Sequence, residues 1–303
     1  MSEPRKINSY PKVLNIAHRL AKKLVEGGEP VYVQEKLDGS QFSFGVFDGV
    51  PFARSRNTMI DFDDPGMFRL GVESVIEFHE RGVLEEGWTY RSEFISKPKH
   101  NVIQYDTTPD YYIVLYDIMV GMEDYMPWKL VQEIADLYLG CPFAPVYAEG
   151  VLGTGEFVLD EFLDKRSVLG GPIEGVVIKN PNVFGEDGKP LVGKYVSEKF
   201  KEVQNSEWKK QTKTKGNLVE QLIDKYASEA RWQKAVQHLA ERGELVNAPQ
   251  DIGPLMKEVS IDFWDECAEE VAEDCIKFVR KELQRGVTKG LPEWYKDRIK
   301  GVL

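Results

Sequence analysis

The chain changes texture once, near residue 204, and that change constrains its architecture more than any other feature. From about residue 30 to residue 200 the apolar residues fall in short β-type runs: Val31 to Lys36, Gln41 to Phe47, Trp88 to Phe94, Tyr111 to Ile118 and Glu174 to Lys179. Asp48-Gly49, between two such runs, is a hairpin signal because Gly tolerates the positive φ of a tight turn. One helix is expected in this half, roughly Met67 to Glu85, where Leu70, Val75, Ile76, Phe78 and Val83 recur at helical spacing. Beyond residue 204 the periodicity is helical. One helix runs through Leu218, Leu222, Ile223, Tyr226, Val236 and Leu239 to Gly243, a second from near Ser260 to Arg285, and a short one starts at Pro292. The pattern predicts an antiparallel α+β domain over residues 1–203 and a smaller all-helical domain over residues 204–303.

With 303 residues, 42% of them hydrophobic, the chain can bury the cores of two ordinary domains. It has neither a signal-peptide pattern nor an apolar run near the ~20 residues that span a bilayer, so a soluble cytoplasmic protein is expected, with a monomer as the default. Cys141, Cys267 and Cys275 are too few for a disulfide framework and show no tight metal-binding pair; they read as reduced and buried. A net charge of −11 argues against a nucleic-acid coat protein but leaves room for a local basic groove. Between Lys194 and Lys215 lie seven lysines (194, 199, 201, 209, 210, 213 and 215) against three glutamates, a stretch that reads equally as a solvated face or a phosphate-binding surface.

The string Gln34-Glu35-Lys36-Leu37-Asp38-Gly39-Ser40 ends one strand, turns through a glycine and enters the next. A lysine there is held by rigid backbone on both sides. To act as a nucleophile it must lose its proton, which calls for desolvation or nearby cations to lower its pKa. Alone, Lys-x-Asp-Gly reads better as an ordinary hairpin lysine. It is followed in order by Ala53-Arg54-Ser55-Arg56, Tyr90-Arg91-Ser92-Glu93-Phe94, Tyr111 to Ile118, Glu174-Gly175-Val176-Val177-Ile178-Lys179 and Gly193-Lys194-Tyr195.

This collinear set resembles the motifs of the covalent nucleotidyltransferases: ATP-dependent DNA and RNA ligases and mRNA capping enzymes. Within them the chain is most similar to the RNA ligase 2 family over roughly residues 30 to 203, including Ser96-Lys97-Pro98-Lys99-His100-Asn101. The helical tail also suits that family, since the other branches carry a β-barrel there. The resemblance implies an antiparallel-sheet, ATP-grasp-like nucleotidyltransferase domain, and an ATP-dependent RNA ligase that seals 3′-hydroxyl and 5′-phosphate ends. Lys36 would take AMP from ATP and pass it to the 5′ end, with Mg²⁺ or Mn²⁺ assisting; a nicked duplex is the expected substrate.

The resemblance also implies roles. Lys36, Lys179, Lys194 and Glu174 are catalytic, Glu174 also holding the metal. Glu35, Lys36, Arg56, Glu93, Tyr116, Lys179 and Lys194 contact the nucleotide, Tyr116 by stacking on adenine. Gln41, Arg54, Arg56, Lys97, Lys99, Lys209, Lys210 and Lys213 contact nucleic acid. Plainer readings stand beside these: Glu93 and Glu174 as solvent-side strand residues, Tyr116 as core packing, Arg54 in place of Arg56, and His100 as structural. Asp61-Phe62-Asp63-Asp64 reads as a solvated loop, or as the metal cluster of a hydrolase. Two departures from the family pattern stand out. Val196 occupies the place of a second lysine after Lys194, which Lys199 or Lys201 would replace, and Gln41 stands where an asparagine is typical. A minimal DNA ligase and an inactive nucleic-acid-binding protein remain alternatives.

Overall fold

A computed structural model describes residues 7–16, 18–121, 124–152, 158–185, 188–196 and 218–301. The first half holds two sheets. In the first, β1 (Val13–Asn15), β11 (Pro190–Val196), β10 (Gly175–Phe184), β2 (Val31–Lys36) and β9 (Val146–Gly150) lie side by side in that order. Only β1 and β11 run parallel. The second has the order β5 (Met59–Ile60), β4 (Val50–Arg54), β3 (Ser40–Phe47), β6 (Trp88–Phe94), β7 (Ile113–Val120), β8 (Asp124–Tyr125), antiparallel throughout. The β3–β4 hairpin turns at Asp48 (φ 55°) and Gly49 (φ 73°), the pair of positive φ values that a two-residue turn matched to strand twist requires.

Strand alternation decides where the cores lie. Phe42, Phe44, Tyr90 and Phe94 share one face of the second sheet. There they meet Phe68, Val72, Val75 and Phe78 at and along α2 (Arg69–Glu80), and Val131 and Ala135 of the segment that begins with α3 (Trp128–Ile134). Val31, Val33, Val176 and Ile178 line the back of the first sheet with Leu24 of the short α1 (Lys22–Glu26). A third cluster, around Leu37, Ile95, Ile103 and Val114, closes the seam. Each sheet therefore keeps one face free of its main core, and these two faces carry the polar strand residues.

The later half is helical, as expected, with different boundaries. The expected helix from Leu218 to Gly243 is two, α4 (Leu218–Tyr226) and α5 (Glu229–Glu241), because Ser228 adopts an extended φ of −139° and its side chain caps α5 by accepting from the Arg231 amide. The next helix, α6 (Ile252–Val287), starts earlier than Ser260; Pro254 falls in its first turn, where a missing N–H costs nothing. The last is α7 (Leu291–Ile299). Among the described residues after 203, only Ala235, Leu239 and Cys267 are buried apolar side chains, so this region has a small apolar core of its own. The expected boundary at residues 203 and 204 lies outside the described residues. Cys141 and Cys267 are buried and free; Cys275 is half-buried. No described helix is long and apolar enough to cross a membrane.

Candidate active site

Register brings the polar residues together. On β2, Tyr32, Gln34 and Lys36 share a face; across the ladder Lys179 stands opposite Tyr32 and Val177 opposite Gln34, while Lys194 of β11 stands opposite Val177. Lys36, Gln34, Lys179 and Lys194 therefore project to one side. On the second sheet Gln41 opposes Glu93, and Ser43 opposes both Arg54 and Arg91. Asp117 opposes Arg91, but Leu115 opposes Ser92, so Tyr116 is an extra residue in a β-bulge. The bulge frees Tyr116 from the alternation that would otherwise turn it away from Asp117. The two polar faces meet where Lys179 Nζ lies 2.8 Å from Asp117 Oδ2.

At the end of β2, Lys36 Nζ donates to Glu174 Oε2 at 2.5 Å. Burial alone would lower the lysine pKa, but Glu174, Glu93 and Asp38 outweigh it and the net direction is upward. The sequence-based expectation of a depressed pKa therefore fails: the groups around Lys36 are acidic. Burial raises Glu174 against the opposing pull of Lys36, and pushes the Glu93 carboxyl up to about 8. Glu93 Oε1 accepts from the Gly39 amide at 3.2 Å.

The turn after Lys36 is clamped. Asp38 Oδ2 accepts from the amides of Val102 (2.8 Å) and Ile103 (2.7 Å), and the Asp38 amide donates to the Tyr105 hydroxyl. A Cβ on Gly39 would lie 2.6 Å from the Phe94 carbonyl oxygen and 2.7 Å from Glu93 Cγ, so only glycine fits. His100 lies within 3.0 Å of the Ser40 hydroxyl and accepts from the Ser96 amide; burial lowers its pKa to about 4, which suits a neutral, structural ring.

Lys179 is caged. It donates to Asp117 and to Gln34 Oε1 at 2.6 Å, and stands 4.8 Å from the centre of the Tyr116 ring. Burial lowers its pKa against the pull of Asp117. Tyr10, from the segment before β1, donates its hydroxyl to the same Asp117 oxygen and meets Tyr116 edge-on. Gln34, Asp117 and Tyr10 were not visible as site residues from sequence, because their meeting depends on inter-sheet geometry.

Among the residues expected at nucleic acid, Arg54 donates to the Ile7 and Asn57 carbonyls, and Arg56 sits half-buried in the tight turn from Ser55 to Thr58. Gln41 Nε2 and Arg54 Nε are buried without a protein partner, as are Nε and NH2 of Arg91, whose NH1 donates to Asn8 O and Ser43 Oγ. These donors lie on the groove side of the second sheet but beneath its surface, Arg91 being fully buried under Asn8 and Tyr10. Lys97 and Lys99 are exposed on the loop that clamps Asp38. Lys199, Lys201, Lys209, Lys210 and Lys213 lie outside the described residues.

One expectation meets a different geometry. The Glu35 side chain is on the back of β2, where Oε2 accepts from the Val168 amide at 3.0 Å, so the structure does not bring it to the Lys36 face. Asp61, Asp63 and Asp64 are exposed, with the Asp63 amide donating to Asp61; no group of three or more His, Cys, Asp or Glu able to hold a metal occurs among the described residues. Glu174, expected to hold a metal, is engaged by Lys36.

The helical region closes over one side. Gln237 of α5 donates to Gly39 O (3.0 Å) and Ser40 Oγ (2.8 Å), and Lys194 donates to Glu266 of α6 at 3.1 Å. Burial and the neighbouring Lys234 and Lys36 lower the pKa of Lys194 against Glu266.

A solved Naegleria gruberi RNA ligase bound to pyrophosphate is 18% identical, covers 66% of this chain and 58% of its own, and superposes with a TM-score of 0.48. A mutant of that enzyme with ATP and Mn gives 17% identity, coverage of 64% and 58%, and a TM-score of 0.46. A putative ATP-dependent DNA ligase from Aquifex aeolicus gives 16%, 97% and 68%, and 0.43. The chain thus spans less than two thirds of the length of the Naegleria enzyme. No curated protein sequence matches it. The RNA ligase family model matches residues 29–196, more than half of the chain and the whole stretch from β2 to the end of β11, and the chain belongs to the RNA ligase family.

Proposed function

We propose that the protein is an ATP-dependent RNA ligase that joins 3′-hydroxyl and 5′-phosphate ends through a lysyl-AMP on Lys36 and an adenylylated 5′ end. The observation that carries this reading is Lys36 itself, fixed at a strand end with its ammonium 2.5 Å from the partly buried Glu174 carboxylate, on the face it shares with Lys179 and Lys194.

In the first step Lys36 Nζ attacks the α-phosphorus of ATP. One ammonium proton passes to Glu174 to free the nitrogen lone pair, the N–P bond forms as the bond from phosphorus to the bridging oxygen of pyrophosphate breaks, and the second proton leaves the nitrogen to the departing pyrophosphate. Because burial raises the pKa of Glu174, that carboxylate is a competent acceptor despite the raised pKa of Lys36. The AMP then moves to the terminal 5′-phosphate, and the 3′-hydroxyl displaces it. Phosphoryl transfer asks the protein to position groups and neutralise equatorial oxygens, and Lys194 and Arg54 stand on the right faces to do so. Lys179, held by Asp117 and Gln34, packs against Tyr116, the candidate adenine platform. Glu93 is placed to hydrogen-bond a ribose hydroxyl.

A divalent cation, Mg²⁺ or Mn²⁺, would be held by Glu174 together with the nucleotide's own phosphates, in keeping with a hard ion that takes few protein ligands, and would neutralise phosphate charge. The RNA partner would lie over Gln41, Arg56, Lys97 and Lys99. The helical region follows as a second unit after residue 203.

Incubation with α-labelled ATP and Mg²⁺, without nucleic acid, tests the reading. Wild type should retain label through a denaturing gel and Lys36→Ala should not; nicked RNA and DNA duplexes then decide the substrate. A folded, unadenylylated wild type that takes no label would end the ligase reading.

A further inference from the structure

Lys194 and Lys234 approach the same atom. Lys194 Nζ of β11 lies 3.1 Å from Glu266 Oε1, and Lys234 Nζ of α5 lies 2.8 Å from that same oxygen. Two ammonium groups repel, and they converge this closely only around a shared anion. Behind them, Asp262 receives Lys234 at 2.5 Å and Arg231 at 2.8 Å, so Lys234 is aimed by a second, nearly buried carboxylate. The pair holds the Glu266 carboxyl well below its usual range although burial pushes the other way.

A single oxygen served by two cations is what a non-bridging phosphate oxygen requires during phosphoryl transfer. A Glu carboxylate supplies one such oxygen, at the groove face that also carries Lys36. The same helix face fixes the turn beside the nucleophile, because Gln237, one helical turn beyond Lys234, donates to Gly39 and Ser40. The helical region thus reaches the site with a cation, an amide and a carboxylate.

We propose that Lys234 is a phosphate-binding residue of the ligase site, paired with Lys194, and that Glu266 is an internal carboxylate which holds both lysines until a nucleotide phosphate displaces it. The proposal rests on the ligase reading for the identity of the phosphate, and on geometry alone for the anion site.

Inorganic pyrophosphate, titrated calorimetrically into full-length wild type, Lys234→Ala, Lys234→Arg and Glu266→Gln, tests it, with thermal unfolding of each variant and ATP labelling of Lys36 alongside. Lys234→Ala should weaken pyrophosphate binding about tenfold, Lys234→Arg should retain most of it, and Glu266→Gln should tighten it about tenfold, the scale of one charge-assisted hydrogen bond. Unchanged binding in Lys234→Ala, or weaker or unchanged binding in Glu266→Gln, overturns the proposal and makes the cluster a structural brace. If Lys234→Ala does not fold, Glu266→Gln decides on its own. A wild type that labels on Lys36 while the variants titrate alike defeats this proposal and leaves the ligase reading standing; Lys234-dependent pyrophosphate binding with no labelling does the reverse.

Discussion

Lys179 and Asp117 sit on different sheets, both almost fully buried, with Nζ and Oδ2 2.8 Å apart. The pair pins β10 to β7 at the bottom of the groove. Asp117→Asn leaves a buried ammonium with only Gln34 and aromatic faces, and should cost roughly 3 kcal/mol of stability. Its pH dependence carries the signature. The Lys179 pKa is lowered in the fold, so below that pKa the charged lysine weakens the folded state, and stability recovers as pH rises through it toward 10.5. Denaturant unfolding of Asp117→Asn should therefore approach wild type as the medium is made alkaline; a deficit independent of pH would contradict this.

Glu93 titrates the other way. Its carboxyl is raised from an ordinary 4.5 to about 8, so the fold favours the protonated form. Wild-type stability should fall by a few kcal/mol as pH rises from about 4.5 to about 8 and stay low above it, whereas Glu93→Gln should lack that slope. Parallel unfolding curves for the two proteins across this window would show that Glu93 is not held protonated.

Gly39→Ala places a methyl group 2.6 Å from the Phe94 carbonyl oxygen and 2.8 Å from Ile95 Cγ1. The expected cost is ~2 kcal/mol, together with a displaced Lys36 and a slower labelling reaction. A variant with native stability and native labelling rate would mean the turn relaxes without moving the lysine.

Asp38→Ala removes the acceptor for two backbone amides, at Val102 and Ile103. About 3 kcal/mol of local stability should go with it. Hydrogen exchange at those two amides should accelerate far more than exchange at the amide of Phe44, which lies in the core of β3. Uniform acceleration across the chain would argue that Asp38 acts on global stability instead.

Much of this site could be read from the chain itself because its elements are strongly patterned. Val31 to Lys36 and Trp88 to Phe94 are alternating runs with sharp ends, and the observed strands have those bounds. Lys36, Glu93, Glu174, Lys179 and Lys194 all sit in or beside such runs, and the structure gathers them at one groove. The geometry behind the remaining parts is set by register and pairing more than by residue type. Tyr116 reaches the groove through a bulge, a property of register and not of the residues themselves. Asp117 sits in an apolar run and reads as a strand residue until Lys179 is seen opposite it. Glu35 follows Gln34 and precedes Lys36, yet strand alternation sends it to the back of the sheet. The break at Ser228 is local, but a capping residue inside a long helical period is easily passed over.

The groove joins positions that are remote along the chain: Tyr10 to Asp117 across 107 residues, Lys36 to Glu174 across 138 and Gln34 to Lys179 across 145. Such distant closures come late and slowly in folding. During synthesis the strand bearing Lys36 emerges long before Glu174, its hydrogen-bond partner, and the residues that face Lys194 from the helical region emerge later still. A ribosome-bound chain stopped short of residue 174 therefore holds Lys36 without the carboxylate it pairs with in the folded protein, and the groove cannot assemble until more than half of the polypeptide has been made.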